Sequence, residues 1–510
     1  MYDSIESQFE KGEAKRMKTI HLTLVILLLA IAATSGPAAT YHVKQDGAGD
    51  FTYIQDAIDA SVDGDTVIVH PGTYYENIQF GGKNITLSST DPDDWDVVEA
   101  AVIDGGQNGS VVTFAGTEDA SCELSGFTIT NGSAENGGGI RCSESSPTIR
   151  NNEIISNSAL SGGGIYIESG SPAILTNRIK FNHSHHSWRE SGGGLFCRGT
   201  SHDTIIADGN SFIENASEGL GGAMLIGDVN AIIQNNVING NQADAGGGGI
   251  WISDGGNARV SNNLIVLNEV IWGHGGGLQC GIGVTVDNCT FVDNLVTPTY
   301  GYGGAIYAYV WPDEINVKDC IFRGHEWPPA ENCLVTSSCF GDPLFASDPL
   351  GEYYLDPDSP CVDAGSMSAA EAGLSDRTTQ VDGTPDTGVV DMGYHYPISE
   401  DEVNVEVSCS LNADEFAPGD VLQGFVGVEN RGVDVEVDIY AAFMLPDGTM
   451  ISYTLSGFVD GAWPWYSDLI LPSGFTVGQT EIFELVVPAN AEPGSYSYLA
   501  AVCRAGEGQA

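Results

Sequence analysis

Apolar and polar residues alternate in short runs along most of the chain, and from Gly137 to Ile306 the runs recur at a near-constant interval. Seven glycine clusters are each followed by an apolar residue, Ile140, Ile165, Leu195, Met224, Ile250, Leu278 and Ile306, at spacings of 25, 30, 29, 26, 28 and 28 residues. A second ladder runs in phase with the first: Asn157, Asn182, Asn215, Asn241, Asn268 and Asn294, each three residues after an apolar side chain such as Ile154 or Phe212. Two ladders locked at one period indicate a solenoid. After each glycine cluster the chain alternates, so that Ile165 and Ile167 point one way and Tyr166 the other, the pattern of a strand with one buried face. A helical stripe is absent from the repeat, which excludes leucine-rich and ankyrin arrays. The pattern predicts two or three short strands per coil, paired in parallel between coils with right-handed crossovers. Glycine suits turns at positive φ, and the ladder asparagines are expected in the left-handed region, stacked on their copies. The predicted fold is all-β, a right-handed parallel β-helix with the apolar ladder as its core.

Gly303-Gly304-Ala305-Ile306, with Phe212-Ile213-Glu214-Asn215 and Phe291-Val292-Asp293-Asn294, resembles the paired repeats of polymorphic outer-membrane proteins, a family of bacterial surface adhesins. More broadly, residues 41–396 resemble the pectate-lyase-like superfamily of β-helix proteins, and the β-helix with its N-terminal cap is expected over 40–396. The resemblance implies a fold; it implies no particular reaction.

Residues 1–39 read as a secretory signal, with Lys15, Arg16 and Lys18 before an apolar run from Leu22 to Ala33 and Met17 as an alternative start. In the segment from Gly49 to Ile58, Ile54, Ala57 and Ile58 form a short helical stripe expected to cap the open first coil. The opening, with Thr66 to Val69 leading into Gly72 to Asn77 and Ile85 to Leu87 into Val102 to Gly105, resembles pectin esterases, but that family's later catalytic segments have no counterpart, so Glu76 is assigned a structural role. Gly273-His274-Gly275 and Arg178-Ile179-Lys180 resemble polygalacturonase motifs in reversed order and without the paired aspartates; both are read as accidents of composition.

Beyond Asp342 the repeat decays into a segment that resembles the closing module called choice-of-anchor Q, carried on Asp342 to Phe345, Ser359 to Gly365 and Val390 to Gly393. Its aspartates Asp363, Asp382, Asp386 and Asp391 admit calcium, although no cofactor is required and EF-hand spacing is missing. Residues 397–402 form a linker. From 403 to 510, alternating runs between Gly, Pro and Asn turns predict an immunoglobulin-like β-sandwich of roughly seven strands. Cys409 and Cys503 lie in its first and last predicted strands and are expected to form a disulfide.

Composition narrows the partners. The 510-residue chain carries 18 Lys and Arg against 69 Asp and Glu, a net charge of -51. Such acidity disfavours nucleic acid and anionic membranes as partners. Of the remaining cysteines, Cys142, Cys197 and Cys280 fall on the inward parity, and Cys289 and Cys320 occupy equivalent positions in successive coils, near enough to bridge but expected to stack as free thiols.

Candidate chemistry sits where coils are longest. The step from Asn182 to Gly192 contains His183, His185, His186 and Trp188; the step from Asn294 to Gly303 contains Tyr300 and Tyr302. The histidines admit a transition metal, although no carboxylate or cysteine partner is fixed by spacing. Outward positions of the glycine strands form columns containing Tyr166, Trp251 and Tyr307, then Glu168, Arg198 and Tyr309, with Trp311 closing the last strand. These residues predict a ligand face suited to an extracellular polysaccharide or cell-surface glycan. The expected protein is secreted or displayed on a surface, monomeric, without a transmembrane span in the mature chain, and adhesive or structural in role. The alternative is a polysaccharide lyase or glycoside hydrolase of the same superfamily, with unassigned catalytic residues, for which Glu168 and Arg198 are the nearest approach.

Overall fold

A computed structural model describes residues 38–186, 191–297, 301–310, 315–325, 329–348 and 351–398, and the backbone of eight strands between 405 and 504. Residues 1–37 of the signal segment, Trp188, Tyr300 and Trp311 lie outside the described residues. The chain divides into two compact units, Met1–Gly341 and Asp342–Ala510.

The first unit is a parallel solenoid. A central coil runs through Thr148–Arg150, Glu153–Ile155, Ser158–Ser161 and Ile165–Glu168, so the central coils hold four strands where two or three were expected. Strands of three or four residues leave room for the extra one, because the corners between them are very tight. Copies of the four strands stack into sheets of 12, 10, 7 and 10 strands, taken in chain order and called here the first to fourth. The apolar ladder pairs without a slip, from Ile140 on Ile165 through Leu195, Met224, Ile250 and Leu278 to Ile306. All seven are fully buried. Cys142, Cys197 and Cys280 share that core, and burial raises their thiol pKa values.

The corners correct one expectation. The ladder asparagines do not take the left-handed conformation; the residue before each of them does, at Ser156, Phe181, Glu214, Gly240, Leu267 and Asp293. That kink swings the asparagine side chain inward, where its Oδ1 accepts from the backbone N–H of the preceding coil's asparagine, as Asn182 does from Asn157 at 3.0 Å. Its Nδ2 donates to a core carbonyl, for Asn182 that of Ile154. A second buried ladder lies five residues earlier, at Asn152, Asn177, Asn210, Asn236 and Asn263, again preceded by left-handed residues such as Asn151 and Thr176. It continues through sulfur: Asn263 N–H donates to Cys289 Sγ and Cys289 N–H to Cys320 Sγ, each at 3.4 Å. Cys289 and Cys320 are therefore stacked thiols standing in asparagine positions.

Two kinds of glycine make up each cluster. Gly247, at φ +59°, meets the turn's conformational demand. Gly248 lies so close to the next coil that a Cβ there would sit 2.4 Å from the Gly276 carbonyl.

The open first coil is closed by the helix Ile54–Ala60, which buries Ile54, Ala57 and Ile58. Glu76 holds it there, its carboxylate accepting from the N–H groups of Ile54 and Gln55, both at 2.9 Å. This is the structural role assigned to Glu76 from sequence.

In the second unit, Phe345–Asp348 and Gly351–Leu355 pair antiparallel, and a capping box on Ser368 starts the helix Ala369–Ala372. Asp391 accepts from the N–H of Asp363, while Asp386 accepts from the N–H of Asp391 and lies 2.8 Å from His395 Nε2; Asp386, Asp391 and His395 are buried and Asp363 is exposed. The eight later strands form antiparallel sheets, one joining Val405–Leu411, Val421–Asn430 and Thr476–Val486 and the other centred on Val435–Met444. Cys409 lies in the first of these strands and Cys503 in the last; the disulfide expected between them concerns side chains outside those described.

Candidate functional site

The outward positions of the fourth sheet align in register as Arg141, Tyr166, Phe196, Leu225, Trp251, Gln279 and Tyr307. This column has two parts with different surroundings. Tyr166, Phe196 and Leu225 are 8%, 5% and 0% exposed and make a satellite apolar cluster with Leu220. The Tyr166 and Phe196 rings stack at 5.0 Å with planes 2° apart. Their faces are spent on packing, and burial raises the Tyr166 hydroxyl pKa.

From Trp251 onward the rings are less covered. Tyr309 reaches back across a whole coil to stack on Trp251 at 6.1 Å, and its hydroxyl donates to the Ile252 carbonyl at 3.0 Å. Burial pushes that hydroxyl's pKa well up. Tyr307 stacks on His274 at 4.3 Å, and His274 on Tyr302 at 5.7 Å, with interplanar angles of 19° and 13°. The Tyr302 N–H donates to His274 Nδ1 at 3.0 Å, which leaves the proton of the neutral ring on Nε2. Partial burial lowers the His274 pKa and favours that neutral form. Trp272, two residues earlier, is 68% exposed and Tyr302 58%. The arrangement is a band of flat side chains in which Trp251, Tyr307 and Tyr309 stand on or beside strands of the fourth sheet and Trp272, His274 and Tyr302 on the corners that lead into it.

Glu168 stands beside Arg198 at the end of these strands, and Arg198 Nη2 lies 3.7 Å from Asp228 Oδ2. All three sit on the rim, so the pair contributes little stability. The polygalacturonase-like segment is structural: the Arg178 guanidinium lies 3.6 Å over the Trp95 ring, and Lys180 pairs with buried Glu153.

The histidines of the long step are strand residues rather than loop residues. His183 and Ser184 form a strand of the third sheet, and His185 extends it, its N–H donating to the Ala159 carbonyl. The same backbone bonding, His185 to Ala159, Glu218 to Ser184 and Asp244 to Ser217, sets His185, Glu218 and Asp244 side by side on successive coils. The His183 and His185 rings meet edge to face at 4.0 Å, and His185 Nδ1 lies 3.7 Å from Glu218 Oε1. One ligand atom each from His183, His185 and Glu218 falls within 4.8 Å of the others. Burial, then the neighbouring His185, lowers the His183 pKa; burial, then Glu218, raises that of Asp244. His186 is half-buried and stands apart from this set. Sequence reasoning missed Glu218 and Asp244, although a signal was present: both lie three residues after a ladder asparagine, as His185 does.

Residues 110–282 and 218–341 match the family model described as "Right handed beta helix region". The class of the solenoid is thus a right-handed parallel β-helix. Among curated proteins, the cell surface glycoprotein of Methanothermus fervidus is 33% identical over 135 residues, 22% of this chain and 21% of that protein, so the match spans about a fifth of the relative. Among solved structures, pectin methylesterase from carrot aligns at 12% identity and a TM-score of 0.30 over 59% of this chain and 89% of its own. Geobacillus virus E2 ORF18 aligns at 13% identity and a TM-score of 0.27, over 85% and 73%. Scores this low bear on neither mechanism nor ligand.

Proposed function

We propose that this chain is a secreted or surface-displayed β-helix protein that binds an extracellular glycan, in an adhesive or structural role, with an immunoglobulin-like sandwich following the solenoid. The observation that carries the reading is the half-exposed ring band of Trp251, Tyr309, Tyr307, His274, Tyr302 and Trp272. Flat, rigid rings cover the apolar face of a sugar at small entropic cost, and their polar tips add hydrogen bonds. The Methanothermus relative is a cell surface glycoprotein, which supports a surface location. Strong net negative charge favours neutral sugars over polyanionic ones.

A glycan array probed with the full chain tests this reading, with reducing-sugar and unsaturated-product release measured on the same sample. Tyr302→Ala combined with Trp272→Ala should weaken binding at least tenfold, about 1.4 kcal/mol, with unfolding unchanged. Tyr166→Ala should lower stability and spare binding. Equal array signals for wild type and the double variant would refute the ring band as the binding site, and sugar release would replace the reading with a lyase or hydrolase.

A further inference from the structure

We propose that His183, His185 and Glu218 form a binding site for a divalent transition metal, with zinc as the best-suited ion, on the outer face of the third sheet. This site is separate from the ring band and does not rest on glycan binding.

Alternate residues of a strand share a face, so His183 and His185 present their rings on the same side, and Glu218 joins from the next coil. Two imidazoles and one carboxylate are a donor set suited to zinc, which takes nitrogen at about 2.0 to 2.1 Å and carboxylate oxygen at about 2.0 to 2.2 Å. A tetrahedral centre with those bonds needs its donors roughly 3.3 Å apart. The three atoms already lie within 4.8 Å, so modest side-chain rotations bring them to that spacing.

The surroundings suit the ion. The strand partners of His183 are Ser158 and Ala216, small residues that leave its ring room to turn. Leu160, the outward neighbour of His185 on the preceding coil, gives one side an apolar wall. Asp244, next in the column after Glu218, adds negative charge that favours a cation and can accept a hydrogen bond from a ligand's outer nitrogen. The backbone beneath belongs to a continuous parallel sheet, which fixes the donors more tightly than a loop would. Three protein donors leave one coordination position for water or an oxygen of an external molecule.

The competing view is a solvated His–Glu ion pair on a surface that attracts any cation weakly. Zinc titration of the full chain by calorimetry, in millimolar calcium to occupy the acidic surface, separates the two. One zinc per chain is expected at this site. His183→Ala and Glu218→Gln should each weaken it at least tenfold, while His202→Ala, at an exposed position elsewhere, should leave it unchanged. Cobalt in place of zinc should give the intense visible bands of a four-coordinate centre, lost in both variants. These substitutions lie at the surface, and matched thermal unfolding without metal would establish that the variants fold. Zinc binding abolished by calcium, or unaffected by His183→Ala and Glu218→Gln, would overturn the site.

Discussion

Asn241 Oδ1 accepts two hydrogen bonds from Asn215, one from its backbone N–H at 2.9 Å and one from its side-chain amide at 3.0 Å. Both residues are fully buried. A single side-chain oxygen thereby answers two donors of the coil before it, inside a close-packed interior.

Asn241→Leu should be severely destabilising for that reason. Two donors of Asn215 would be orphaned, at about 1 to 3 kcal/mol each, so the loss should reach roughly 2 to 6 kcal/mol in denaturant unfolding. Asn239→Ser, two residues away and turned outward, should stay within about 0.5 kcal/mol. Similar losses for the two would show that the ladder carries no special share of stability.

The ladder ends at His325, which follows left-handed Gly324 just as each asparagine follows its kinked neighbour. His325 Nδ1 lies 3.2 Å from the Asn294 carbonyl, whereas its buried Nε2 has no hydrogen-bond partner among the described residues. Burial holds its pKa below the ordinary 6.5. The unfolded chain therefore takes up the proton first as pH falls, so this histidine's contribution is present above 6.5 and is lost as pH drops through the lowered folded value. Thermal unfolding followed from pH 7.5 to 5 should decline more steeply for wild type than for His325→Asn. Parallel profiles would exclude His325 as a source of acid sensitivity.

Cys409 and Cys503 are proposed to pair across the first and last of the eight strands between 405 and 504. Such a bond would close almost the entire run of later strands into one loop, worth roughly 4 to 5 kcal/mol by chain entropy if unstrained. Peptide mapping of non-reduced protein from an oxidising compartment should recover the two cysteines in one linked species. Alkylation of both without prior reduction would disprove the link.

The apolar ladder, the asparagine ladder and the helical cap were legible because they repeat by position or follow one period: Ile140 to Ile306 mark the core, and Ile54, Ala57 and Ile58 mark the cap. The backbone of the corners was not. Phe181, Glu214 and Leu267 hold positive φ although their residue types argue against it, since tertiary pairing of the next asparagine outweighs local preference. The second ladder was hidden where asparagine gives way to Cys289 and Cys320. At the candidate sites the difficulty was distance along the chain. Tyr309 touches Trp251 two coils back, and His185 meets Glu218 across a step of unusual length, so contacts that the sheets make direct look remote in sequence.

Uniform ladders have a consequence for assembly. Asparagine pairs equally well with any other asparagine, so a growing solenoid could skip a coil and still satisfy every amide in the joint. Departures from uniformity remove that degeneracy. The steps between bonded ladder residues are 25, 33, 26, 27 and 26 residues, so a skipped coil would leave a loop of mismatched length. The thiols at 289 and 320 mark one end as different from the middle. Irregular positions in this repeat thus act as punctuation, telling each coil which neighbour is its own.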